Sequence, residues 1–139
     1  MDIQNFIDNS IALQSCDSVA TICYNLFKDT KISYYNYVRM YKDDSRISLT
    51  NNYEWAVHFF NNFYQHSFSI EEKYPQIGKS NYIIWDNHEV IKQCDLLQVA
   101  KNKYNIDHVF TIITTYDDYV EFQYFGAEPN YHSINNFYI

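Results

Sequence analysis

The spacing of apolar side chains divides the chain into segments of different period. Near the start, Ile7, Ile11 and Ala12 form a short apolar face at helical spacing. From about Asp17 or Ser18 a second helix is expected, with Val19, Ile22, Cys23, Leu26 and Phe27 as its stripe. Period two then takes over. Across residues 32–41, ISYYNYVRMY, the side chains of Tyr34, Asn36, Val38 and Met40 share one face of a strand; Tyr35, Tyr37, Arg39 and Tyr41 share the other. Lys42-Asp43-Asp44-Ser45 reads as a turn, because Asp and Ser bond back to their own backbone. RISLT, residues 46–50, is a short returning strand with Ile47 and Leu49 together.

The next boundary is sharp. Asn51 precedes Glu54 by three, a capping-box spacing. Trp55, Ala56, Phe59, Phe60 and Phe63 then make a broad helical stripe. Residues 64–81 are less regular, with one helical turn expected from Ser69-x-x-Glu72 before Pro75. Tyr82-Ile83-Ile84-Trp85 is a short apolar run. Asp86-x-x-Glu89 repeats the capping pattern and predicts a helix through Val90, Ile91, Cys94, Leu97 and Ala100 to about Tyr104. Residues 107–116, DHVFTIITTY, carry no charge between His108 and Tyr116 and read as a central strand covered on both faces. After a turn at Asp117-Asp118, residues 119–126 alternate, with Val120, Phe122 and Tyr124 opposite Tyr119, Glu121 and Gln123. Hairpins separated by helices predict an α+β fold, an antiparallel sheet with helices packed on it, rather than a doubly wound sheet.

At 139 residues and 16.8 kDa the chain is expected to form one domain, 1–139, with no internal repeat and no linker. That mass buries about 69% of its extended-chain surface, enough for a core without metal or disulfide staples. Ten basic against 17 acidic residues give a net charge of −7, which argues against direct nucleic-acid binding. The first residues, MDIQNFIDNSIALQ, lack the basic and apolar regions of a signal peptide, and no run reaches the length of a membrane span. Cys16, Cys23 and Cys94 are odd in number and lack CxxC spacing, so reduced thiols in the cytoplasm are expected.

Catalytic and metal motifs are absent from the sequence. His58, His66, His88, His108 and His132 form no HxH, HxxxH or HExxH pattern, and Asp43-Asp44-Ser45 is too short for a calcium loop. Glu54 and His58 are i,i+4 neighbours whose plainest role is a surface pair. No GxSxG, GxGxxG or P-loop pattern occurs, and only 2 glycines are present. The expectation is a protein that is not an enzyme and carries no metal or cofactor. Aromatic residues, 19% of the chain, are its chemical resource. They can wall a small-molecule pocket, with Tyr hydroxyls and Trp N–H groups as its polar handles, or they can simply fill a core.

The segment YYNYVRMYKDDSRISLTNNYEWAVHFF, 34–60, resembles the N-terminal sensory domain of LuxR-type quorum-sensing transcription regulators. HVFTIITTYDDYVEFQYFGAEPN, 108–130, is similar to the paired late strands of those domains. The resemblance implies an α-β-α sandwich with a central antiparallel sheet, akin to PAS and GAF folds. It also implies an acyl-homoserine lactone, or another small apolar-tailed signal molecule, bound between the sheet and one helical layer. In that family a Trp holds the lactone carbonyl, and Trp55 matches it. The family's Tyr four residues later is Phe59 here, and its Asp-Pro pair falls near Phe68-Ser69, which is neither Asp nor Pro. Trp85 matches a later aromatic that packs on the lactone ring, and Tyr37, Tyr53 and Tyr64 complete the candidate ligand-binding set. Losing the partner of a buried ligand amide costs about 1–3 kcal/mol, so the usual lactone fits this set poorly.

The family's DNA-binding helix-turn-helix and the last sensory helix find no match in the sequence up to Ile139. Two roles follow from the resemblance: a small-molecule-sensing domain of a transcription regulator, or a ligand-free interaction domain that forms homo- or heterodimers with a regulator. A cavity beside Trp55 and Trp85 with polar atoms turned inward separates the first from a filled core, which favours the second.

Overall fold

The computed structural model describes residues 11–43, 45–62, 74–88 and 94–138. Three short helices, α1 (Ile11–Gln14), α2 (Cys16–Ile22) and α3 (Tyr24–Asp29), precede the hairpin of β1 (Ile32–Tyr41) and β2 (Arg46–Thr50). Helix α4 (Tyr53–Asn62) follows, then β3 (Ser80–Ile84), a 3₁₀ turn (Trp85–Asn87), α5 (Asp95–Tyr104), the hairpin β4 (Asp107–Thr115) and β5 (Tyr119–Ala127), and α6 (Ile134–Tyr138). The strands form one five-stranded sheet in the order β2-β1-β5-β4-β3, with every pair antiparallel. The fold is thus α+β, a central antiparallel sheet flanked by helices. Among the described residues no helix is long and apolar enough to cross a membrane.

Strand parity decides which side chains enter the core. Tyr34, Val38 and Met40 from β1 lie on the same face as Val120, Phe122 and Tyr124 from β5 and Ile113 from β4. On this covered face Trp55 and Phe59 of α4, and Leu96, Leu97, Val99 and Ala100 of α5, join them in the main cluster. Burying side chains of this size is the principal favourable term of folding. Gly126 makes the layer possible at one point: a Cβ there would sit 3.3 Å from the Tyr34 ring and 3.4 Å from the Asp107 carbonyl. A smaller cluster at the opposite face joins Ile32, Ala127 and Ile134 to Phe125, Tyr131 and Tyr138.

Local structure departs from the sequence reading at four places. The expected single helix from Asp17 is broken, and Ile22 points outward at 81% exposure while Val19 and Cys23 are buried. The cap of α4 is Asn52, whose Oδ1 accepts from Trp55 N at 2.9 Å. Asn51 instead extends the sheet: its Oδ1 accepts from Tyr35 N at 2.8 Å and its Nδ2 donates to Ser33 O at 3.0 Å. The Asp86 carboxylate, expected as a cap, lies instead against His108 Nδ1 and accepts from Asn135 Nδ2, and α5 begins at Asp95. β4 is covered fully on one face only; Ile112 and Thr114 on the other are half-buried. The expected turn at Ser69-x-x-Glu72, and Val90 and Ile91 of the expected helix, lie outside the described residues.

Candidate functional site

Of the six residues singled out from sequence, three meet. Trp55, Phe59 and Trp85 belong to the cluster on the covered face, and both indoles are buried. Their surroundings are other side chains. The ring of Trp55 packs on Phe59, His58 and Tyr104 with centroids 5.3–6.3 Å away. Trp85 meets Tyr124 edge-on at 6.2 Å. The Trp85 indole N–H donates to Thr111 Oγ1 at 2.6 Å, which satisfies two of the most deeply buried polar groups at once. Trp55, Thr50 and Asn36 hydrogen-bond the hydroxyl of Tyr34, whose burial pushes its acidity well below that of an ordinary phenol. The polar edge of this aromatic face is therefore turned onto itself.

The other three candidates lie apart. Tyr53, at the start of α4, is 53% exposed. Tyr64 lies outside the described residues. Tyr37 is on the sheet face away from Trp55, where its hydroxyl donates to Glu121 Oε2 at 2.7 Å. Burial and that bond push the Tyr37 hydroxyl up to about 12. Arg39 donates from Nε and Nη2 to Tyr37 Oη at 3.1 and 3.0 Å, and its guanidinium carbon stands 4.3 Å over the Tyr119 ring. Tyr119 in turn packs on Tyr41 at 5.8 Å. Glu121, ambiguous in the sequence, is thus part of a half-buried ladder of Tyr, Arg, Glu and Gln.

Two open depressions among the described residues are lined by neither Trp55 nor Trp85. One, of about 300 Å³, lies between Lys28, Lys31 and Phe137. The other, of about 400 Å³, opens where Met40, Thr115 and Val120 of the sheet meet Tyr74 and Ile77. The Thr115 hydroxyl there is buried without a hydrogen-bond partner among the described residues.

A further polar assembly has no motif in the sequence. Asp86, Asp107 and His108 each place one ligand atom within 4.8 Å of the others, a set able to hold a metal ion. Hydrogen bonding fills it in another way. His108 Nε2 lies 2.9 Å from the Pro129 carbonyl, which can only accept. His108 Nδ1 lies 2.5 Å from Asp86 Oδ2, which also accepts from Asn135 Nδ2 at 2.6 Å. With Asp86 ionised both partners are acceptors, which calls for two ring protons and pairs a cationic imidazole with the Asp86 carboxylate. Burial opposes that charge, but Asp86, the Pro129 carbonyl and Asp107 outweigh it and hold the imidazole above its usual range. His108 also has a left-handed backbone, φ +50°, with its own N–H donating to Asp107 Oδ1 at 2.8 Å. Tyr138 packs nearby with its hydroxyl buried and, among the described residues, unpartnered; burial first, and Asp86 second, keep it protonated. The assembly ties the 3₁₀ turn, the start of β4, the loop at Pro129 and α6 together. The one sequence signal was a titratable His opening an otherwise uncharged strand. Comparison with protein-family models, curated proteins and solved structures finds no match for the chain.

Proposed function

We propose that the chain is a non-catalytic interaction domain of the α-β-α, PAS/GAF-like kind, working in the cytoplasm by docking on a regulator rather than by holding a signal molecule. One observation carries the reading. The groups that would greet a ligand, the Trp55 and Trp85 indoles and the Tyr34 hydroxyl, sit among their own protein partners, and Trp85 is matched to Thr111. The β1–β5 face, by contrast, presents half-buried Tyr, Arg and Gln side chains. Tyr and Arg are the residue types that dominate interface energetics.

A second reading, a LuxR-type sensor of an acyl-lactone-like molecule, is favoured by the depression at Met40, Tyr74 and Thr115. Its size falls in the range of small-ligand pockets, and the Thr115 hydroxyl is an unused polar handle. Native mass spectrometry after incubation with a panel of acyl-homoserine lactones separates the two. Protein mass with no adduct, unchanged in Trp55→Phe, is the expected result. A stoichiometric small molecule, extracted under denaturing conditions and lost on Trp55→Phe or Thr115→Val, would overturn the interaction reading in favour of the sensor.

A further inference from the structure

We infer that the partner of the β1–β5 face is a second copy of this chain, packed sheet to sheet about a two-fold axis that runs parallel to the strands between β1 and β5. This rests on the interaction reading above. The argument comes from register. On this face, away from the end where Tyr138 stacks on Phe110, positions form rows across the sheet: Ile47, Arg39, Glu121, Thr114 and Ser80 make one, and Leu49, Tyr37, Gln123, Ile112 and Tyr82 make the next. A two-fold axis between β1 and β5 turns the four positions from β2 to β4 in each row end for end, leaving Ser80 and Tyr82 of the edge strand β3 outside the overlap. It sets Arg39 over Glu121 of the partner subunit, and Leu49 over Ile112 of the partner subunit.

Both operations are self-complementary. The row with charge holds one Arg and one Glu, adjacent and of opposite sign, so rotation opposes unlike charges twice. Within that overlap the neighbouring row has Leu49 and Ile112 at its ends and hydrogen-bonding groups in the middle, so rotation opposes like with like in polarity. A two-fold axis perpendicular to the sheet would make an edge contact and match none of this. Sheets packed face to face cross at about 30°, so the match is best at the Arg39–Glu121 row and decays outward.

Size and polarity set the strength. The four overlapping strands at ~4.8 Å by about six residues at ~3.4 Å span roughly 400 Å² in plan. That is below the ~800 Å² per partner of a standard stable interface, so the association is expected to be reversible and concentration-dependent. Arg39 keeps N–H donors beyond those given to Tyr37, so it can reach a second carboxylate without losing its place over Tyr119. Ile47, 42% exposed, gains cover in the pair.

Sedimentation equilibrium of the full chain tests this. Wild type is expected to show a monomer–dimer equilibrium. Arg39→Glu and Glu121→Arg alone should each raise the dimer dissociation constant at least tenfold. An equimolar mixture of the two single variants should recover a dimer of wild-type affinity, because each then meets the opposite charge across the axis. Ile47→Glu, at an exposed position that should leave folding intact, must also weaken the dimer. A wild type monomeric to millimolar concentration overturns the inference, as does a dimer indifferent to Ile47→Glu or a mixture no tighter than its components. Failure of the interaction reading itself shows separately, as a bound small molecule in the mass spectrum.

Discussion

The ion pair of His108 with Asp86 makes a prediction whose sign is unusual for an acidic protein. Its side chains are only 7% and 13% exposed, so each charge depends on the other. His108 is held above its ordinary value in the folded protein. A base raised in this way contributes stability that is fully present below its unfolded value of about 6.5 and is lost as pH rises through the folded value. Wild-type stability should therefore contain a component that declines on the alkaline side of pH 6.5. Asp86→Asn removes the anion while keeping the shape. Breaking one side of a buried pair costs about 3–5 kcal/mol. Asp107, 3.7 Å from Nε2, still offers some charge, and His108 can lose its proton, so the lower end of that range, ~3 kcal/mol, is expected. In the variant burial dominates, the folded value drops below the unfolded one, and the slope reverses: stability from this group now rises with pH between 5 and 7. The assay is urea unfolding followed by the fluorescence of the two buried tryptophans, at half-unit steps from pH 5 to 9, with the m-value held common. A loss under about 1 kcal/mol, with parallel pH profiles for wild type and Asp86→Asn, would refute the imidazolium assignment.

Two further substitutions test the closed aromatic face and its lid. Thr111→Val keeps the volume but leaves the Trp85 N–H without its acceptor; a loss of about 1–3 kcal/mol in urea is expected, with an unchanged circular dichroism spectrum. Asn52→Ala removes the cap from Trp55 N and should lower the melting temperature by a few degrees, corresponding to about 1 kcal/mol, whereas Asn52→Asp should restore it.

The strands were legible from sequence because period two is a local signal. Parity groups Tyr34, Asn36, Val38 and Met40 within one strand and Val120, Phe122 and Tyr124 within another; only strand pairing puts the two groups on one face, and β4 does lie inside the sheet. Helix starts were less legible, since Asn and Asp bond to whatever backbone or side chain lies near. Asn51 and Asn52 compete for one cap, and the sheet edge takes the first. Asp86 has the spacing of a cap but is drawn to a buried His 22 residues away. No local pattern encodes that choice, which is why the assembly of Asp86, His108 and Asn135 is not legible in one dimension. The candidate ligand set failed to converge for a related reason. Trp55, Phe59 and Trp85 were found by their apolar company, which strand and helix periodicity reports; Tyr37 was chosen for its chemistry, and its parity sends it to the other face.

That same parity ties the aromatic richness of the chain to its proposed role. In β1, tyrosines occupy positions of both parities, so the strand supplies hydroxyls to both faces of the sheet. On the covered face the hydroxyl of Tyr34 meets Thr50, Asn36 and Trp55, and the surrounding aromatic rings close the core. On the open face Tyr37 finds only charged partners, Arg39 and Glu121, from positions that strand pairing puts side by side. A Tyr whose hydroxyl lies between a cation and an anion is fixed in place before any partner arrives, so little side-chain entropy remains to be lost on docking. A face built only for solubility has no need of such fixed geometry. That fixed geometry, with Arg39 beside Glu121, supports the proposed interface between two copies.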